Sequence, residues 1–331
     1  MTTRSRRYPM SVEIVAVDAG ELGVLVEAWP FKPYRNYRVL SRRRQADVTR
    51  AEIDGVLKTA GARVCAERDA RGLAAVVVFQ PLPWDSGFFG VPMGRFTHAI
   101  RSPEAPRQAL VAAVEAGIAH ARALGVRHVA ARADVADTDA IGVLEDHGFR
   151  LMDALATYIV HPRRELPPPP KEMGVLRHYR PEDAEQVLGI TREAFRGFRG
   201  RFHLDPHLPD ERCDELYLEW ARKACSFQMA DVVLVTEDGH GELHGWTSYR
   251  QIEPVSTVGG VPVCGAGLGA CRRSHPGAYV GLIRGGTALV HGRGGVSECQ
   301  TQNFNFATIR VYEAAAMQYV RADYSFHAWL G

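Results

Sequence analysis

The sequence holds no apolar run near the ~18 residues that a membrane span needs. No apolar segment follows its basic N-terminus, so no signal peptide is visible, and a cytoplasmic protein is expected. Its six cysteines (Cys65, Cys213, Cys225, Cys264, Cys271 and Cys299) are scattered and form no Cys-x-x-Cys pair. That argues against a zinc ribbon and for free thiols in a reducing compartment. No His/Asp/Glu cluster in the sequence argues for a catalytic metal, so none is expected. Charge of one sign is missing too: 40 Lys and Arg against 38 Asp and Glu leave a net +2, too little to make nucleic acid a main partner. The basic stretches Arg4-Ser5-Arg6-Arg7 and Arg42-Arg43-Arg44 read as local solvated surface.

What is present is enough apolar residue for two cores in a chain of 331 residues. A break falls at Glu165-Leu166-Pro167-Pro168-Pro169-Pro170-Lys171, where four prolines make a stiff connector. It divides the chain into 1–163, a linker 164–173, and 174–331. Both sides read as α/β. Before the break, Leu73 to Phe79 is a buried-type strand, Leu110 to Leu124 a helix stopped by Gly125, and Val126 to Ala131 a strand. Asp137-Thr138-Asp139 then caps a helix through Glu145. After it, Val175 to Arg177 is a strand and Pro181 opens a helix. Val232 to Thr236 and Leu243 to Tyr249 form a hairpin. Pro262 to Cys271 is a strand, Tyr279 to His291 a helix, Val296 to Gln300 a strand, Ala307 to Met317 a helix and Tyr324 to Leu330 a closing strand. The order helix, strand, polar turn, helix, strand occurs at 110–160 and again at 279–330, which points to a duplicated fold.

The stretch Asn305-Phe306-Ala307 through Tyr312-Glu313 gives Asn-x-Ala-x-x-x-x-Tyr after an apolar strand. It resembles the last motif of the GNAT superfamily of acyl-CoA-dependent N-acyltransferases. The resemblance implies a GNAT fold for 174–331, a mixed α/β sheet flanked by helices. It implies a degenerate GNAT-like first half on the acceptor side, with Leu144 where the second half has its Tyr. Leu82-Pro83-Trp84-Asp85-Ser86-x-Phe88-Phe89-Gly90, Phe202-His203-x-Asp205-Pro206 and Asp214-x-x-Tyr217-x-x-Trp220 are similar to the dTDP-fucosamine acetyltransferase family, as is the ending Tyr324-Ser325-Phe326-His327-Ala328-Trp329-Leu330. The activity implied is transfer of an acetyl group from acetyl-CoA, or another acyl-pantetheine thioester, to the amine of a nucleotide-linked amino sugar.

The resemblance assigns residues. Tyr312 would protonate the leaving thiolate, since a phenol of pKa near 10 keeps its proton at neutral pH. Asp85 and His203 are the candidate general bases. The donor's pantetheine would lie on Leu268, Gly269 and Ala270, where glycines permit close approach. Its pyrophosphate would meet Arg272, Arg273, Gly277, Ala278 and Tyr279, with Asn305 binding a ligand or backbone amide. The loop Ser274-His275-Pro276-Gly277 departs from the family's Gln/Arg-x-x-Gly-x-Gly/Ala: Gly277 is kept, but Pro276 supplies no N–H. Trp84, Phe88, Phe89, Asp205 and Tyr217 would contact the acceptor. Each of these also has a plainer reading: Tyr312, Trp84, Phe88 and Phe89 as core aromatics, Asp85 as a turn cap, His203 as a structural histidine.

Gly265-x-Gly267-x-x-Ala270 mimics a dinucleotide fingerprint, but no helix follows directly and no acid stands about 20 residues on. Two other functions stay open: the same chemistry with a carrier-protein or aminoacyl-tRNA donor, whose phosphates could meet Arg272, Arg273 and Arg284, and a non-catalytic binding module. A homodimer is also left open.

Overall fold

The computed structural model describes residues 17–171 and 173–331; Arg4 to Arg7 lie outside the described residues. The first half begins with two helices, α1 (Ala19–Ala28) and α2 (Arg42–Leu57), capped by Asp18 and Ser41. Then come β1 (Arg63–Asp69), β2 (Gly72–Pro81), α3 (Pro83–Phe89), β3 (Met93–Arg101), α4 (Arg107–Ala123), β4 (His128–Asp134), α5 (Thr138–Asp146) and β5 (Arg150–Val160). The second half runs β6 (Val175–His178), α6 (Ala184–Phe195), α7 (Asp210–Cys225), β7 (Val232–Glu237), β8 (Leu243–Gln251), α8 (Val255–Gly259), β9 (Val263–Cys271), α9 (Pro276–His291), β10 (Val296–Gln302), α10 (Phe306–Ala314) and β11 (Gln318–Trp329).

The local expectations hold with shifts at element ends. Pro181 starts a 3₁₀ turn that leads into α6, rather than the helix itself. The α9 helix opens at Pro276, because proline at its first position lacks only an N–H that would have no partner there. The α10 helix stops at Ala314, short of Met317, where Ala316 takes φ 61° and turns the chain out.

All strands join one sheet of 11, in the order β1-β2-β3-β4-β11-β5-β10-β9-β8-β7-β6. The halves are interlocked. Each leaves a one-strand gap before its own last strand, and the other half's last strand fills it: β11 lies between β4 and β5, and β5 between β10 and β11. The linker at 164–173 therefore divides the chain but not the sheet. The apolar run of β2 is buried on both sides because α4 and α5 cover one face of the first half and α1 and α2 the other.

The same irregularity occurs in both halves. The parallel pair β3–β4 is joined only from Met93/His128 to Phe96/Ala131, although both strands run on. The parallel pair β9–β10 is joined only from Val263/Val296 to Gly265/Glu298. Beyond those rungs the strands part and leave a split in the sheet.

Candidate active site

The split in the first half opens into a cavity of about 630 Å³. Its floor is set by strand register on the α1–α2 face. Arg95 of β3 pairs with Ala130 of β4, and Ala130 pairs with His327 of β11. The small Ala130 thus leaves a hollow between two long polar side chains. The next row along pairs Arg132 with Ser325. Trp29, Phe31 and Tyr34 after α1, and Glu52 on α2, wall one side; Asp85 of α3 and Arg201 of the α6–α7 segment close the other.

His327 is 1% exposed by its side chain and sits at the base of this cavity. Its Nδ1 lies 2.9 Å from Asp205 Oδ2, and its Nε2 has no partner. Asp205 also accepts from Trp329 Nε1 (3.1 and 3.0 Å) and from the His207 N–H (3.1 Å). Burial works against the carboxylate charge, but these donors together hold its pKa far below the usual range. An ionised carboxylate can only accept, so Nδ1 of His327 carries the hydrogen and Nε2 keeps a free lone pair. Burial, with His128 and Arg201 nearby, lowers His327 to about 4, so at pH 7 it is neutral. His128 Nε2 is 3.5 Å from the same carboxylate oxygen. The donor atoms of His128, Asp205 and His327 lie within 4.8 Å of one another, a spacing able to hold a cation. Both Asp205 oxygens are already engaged by N–H groups, which makes the set a hydrogen-bonded network first.

Asp85 shares the cavity, and burial raises its carboxyl pKa although Arg201 and Arg95 face it. Of the two expected bases, the structure brings Asp85 to the cavity and His203 elsewhere. His203 is 6% exposed, bonds Asp214 at 3.0 Å and stacks on Tyr217. Asp205 is 1% exposed and reaches the cavity only through His327. The aromatic motifs do meet, but as packing. Phe89 joins Phe202, Leu208 and Leu216 in one core. Trp84 stacks on Phe88 at 5.3 Å with Lys223 Nζ 4.0 Å from its ring centre, and Tyr217 stacks on Phe195 at 4.3 Å.

The residues expected to bind the donor cluster in the second half, around its split. Tyr312 is 2% exposed and gives its hydroxyl to the Gln300 carbonyl at 3.0 Å. Burial pushes its phenol and that of Tyr279 well above the usual range. Tyr279 packs against β9 close to this split: a Cβ on Gly269 would come 2.9 Å from its ring, and the ring joins Tyr312 and Cys299 in one core. Leu268 and Ala270 pack into a core with Trp246, and Ala278 is fully buried. Arg272 bonds the Leu243 carbonyl at 2.8 Å and pairs with Glu193 and Glu242. The Arg273 N–H donates to Glu193 at 3.1 Å, which puts a carboxylate on the loop where a pyrophosphate was expected. Gly277 faces open space. Asn305 caps its own helix, accepting from the Thr308 N–H at 3.3 Å. Arg284 is bonded to the Pro167 carbonyl.

Sequence reasoning missed His327, Arg95, Arg132 and Arg201. The closing stretch that contains His327 was visible as a motif, but nothing local marks that histidine as facing a cavity formed by the other half.

No protein-family model and no curated protein sequence matches the chain. Solved structures do. A tandem GNAT protein from the clavulanic acid biosynthesis pathway superposes with a TM-score of 0.55 at 14% identity, covering 95% of each chain. A GCN5-related N-acetyltransferase from Sphaerobacter thermophilus gives 0.54 at 16% identity, over 78% of this chain and 77% of that one. The glucosamine N-acetyltransferase region of a fungal multi-domain β-N-acetylglucosaminidase gives 0.61 at 12% identity, over 94% of this chain and 37% of that one. With the paired splits and the repeated order of elements, these matches show a GNAT fold built from two GNAT-like halves that share one sheet.

Proposed function

We propose that the protein is an N-acyltransferase that works in the first half's split, with His327 as general base. One observation carries this reading: an unpartnered His327 Nε2, oriented by Asp205, faces a cavity at the point where β3 and β4 part. The donor would be acetyl-CoA or another acyl-pantetheine thioester. Beyond Phe96 the β4-side edge of β3 has no strand partner, and an extended amide-bearing arm can pair with such an edge. A bulge at Thr97, where β3 leaves its regular register with β2, would turn a backbone N–H toward a thioester oxygen.

The neutral amine attacks the thioester carbon and forms the C–N bond, while His327 Nε2 takes the ammonium proton. Collapse of the tetrahedral oxyanion breaks the C–S bond. The thiolate, of pKa about 8.5 in a simple thiol, receives its proton from the imidazolium. Asp205 keeps the ring in the correct tautomer throughout. Asp85, which lines the same cavity, would accept a hydrogen bond from the neutral amine and hold it for attack. The acceptor is a small amine, and the nucleotide-linked amino sugar implied by the resemblance is a candidate. Tyr312 in this reading is a packing residue.

The test is thiol release from acetyl-CoA across an amine panel, with His327→Ala and Tyr312→Phe compared at equal folded concentration. His327→Ala should lose about 100-fold or more, and Tyr312→Phe should stay within a few-fold. The reverse pattern would move the chemistry to the second half.

A further inference from the structure

Three arginines face the cavity without a carboxylate partner. Arg95, Arg132 and Arg201 all line it, and among the described residues none of them forms an ion pair. Arg95 has one bond, to the Gln80 side chain at 2.9 Å, and Arg201 lies over the Phe202 ring at 4.6 Å with its buried Nε unpartnered. Arg321, which also lines the cavity, is by contrast paired with Asp323, and the cavity's Asp134 is paired with Arg35. Arg95 and Arg132 keep solvent-exposed side chains on the open cavity and Arg201 is half-buried, and cations that meet in one cavity without paired anions repel one another. Asp85 faces Arg95 and Arg201, and Asp153 and Asp323 face Arg132, all beyond ion-pair reach.

We propose that Arg95, Arg132 and Arg201 form a phosphate-binding subsite, so that the amine acceptor is a phosphorylated molecule. The position favours the acceptor over the donor. Arg95 lies across Ala130 from His327, about two strand spacings or ~10 Å away, and Arg132 is in the adjoining row. The phosphates of coenzyme A lie at the far end of the pantetheine arm from its thioester, away from the base. Planar guanidinium forks suit phosphoryl oxygens, and three of them exceed the charge of a single carboxylate. The acceptor assignment rests on His327 as the base; the anion site itself is testable without turnover.

Calorimetric titration of the full chain with pyrophosphate, at constant ionic strength set with chloride, provides the test. The wild type should bind. Arg132→Ala and Arg201→Ala should each weaken binding about tenfold or more, and Arg132→Lys should fall between. Arg310→Ala, an exposed change outside the cavity, should bind as the wild type does. Removing Arg132 relieves repulsion, so its variant should melt no lower than the wild type without ligand and lose the rise that pyrophosphate gives. Equal binding by wild type and Arg132→Ala, or malonate binding as tightly as pyrophosphate, would overturn the phosphate subsite. An equal loss of coenzyme A affinity in Arg132→Ala would give these arginines to the donor and overturn the acceptor assignment. Pyrophosphate binding through Arg132 in a protein that transfers no acyl group would sink the acyl-transfer reading and leave the anion site standing.

Discussion

Asp205 and His327 are 122 residues apart in the chain and meet at 2.9 Å under the cavity. One comes from a loop of the second half, the other from the strand that the second half inserts into the first half's sheet. The pair lies under the first half's cavity because β11 is inserted between β4 and β5.

Asp205→Asn should lower kcat by about 100-fold or more with KM little changed. An amide presents a donor as well as an acceptor, so it permits the His327 tautomer whose lone pair faces away from the cavity. Steady-state kinetics with one amine, together with a thermal melt, checks this. A proportional loss of folded protein with kcat unchanged per folded molecule would make Asp205 purely structural.

Stability should fall on acidification through the His327 titration. Its folded pKa of about 4 is below the unfolded value of about 6.5, so the unfolded chain binds more protons between them. The contribution is fully present above pH ~6.5 and is lost as pH falls to ~4, at most about 3 kcal/mol. Urea unfolding at pH 7 and pH 5, compared between wild type and His327→Gln, isolates it. The variant should lose less stability on acidification than the wild type.

Ala130→Leu should fill the hollow between Arg95 and His327. Its side chain would point into the cavity rather than into packed core. The expected result is a strong loss of acyl transfer with a melting temperature within a few degrees of wild type. Unchanged kinetics would place the acceptor elsewhere.

Gly277→Glu should leave acetyl-CoA affinity unchanged. A Cβ there meets nothing within 4 Å, and an acid near the α9 N-terminus suits its dipole. Calorimetry with acetyl-CoA checks it. A large loss of affinity would put the donor's phosphates at α9, in the second half.

Much of the fold was legible because it is written locally. The run Leu73 to Phe79, the Asp137 cap and the hairpin around Asp238 each contain their own instruction, and each produced the expected kind of element near the expected place. The repeat was legible too, as two similar orders of elements. The site was only partly legible. Asp85 reached the cavity, but Tyr312 turned inward to Gln300, Phe88 and Phe89 joined a core, and Trp84 stacks on Phe88 while staying exposed. Helical spacing shows that Tyr312 lies on an apolar face; it does not show whether that face meets ligand or protein. The first 70 residues, silent in sequence, supply Trp29, Phe31, Tyr34 and Glu52 as cavity walls.

The sequence by itself determined the doubling and many of the elements in their order, since propensity, capping and hydrophobic period act over a few residues at a time. Only the tertiary structure decided which half is open. That choice depends on strand order and register: β11 crossing into the first half places His327 beside Ala130 and across it from Arg95, while Tyr279 and Tyr312 pack into a core against β9 and β10 in the second half. Contacts between residues more than a hundred positions apart leave no periodic trace in the chain.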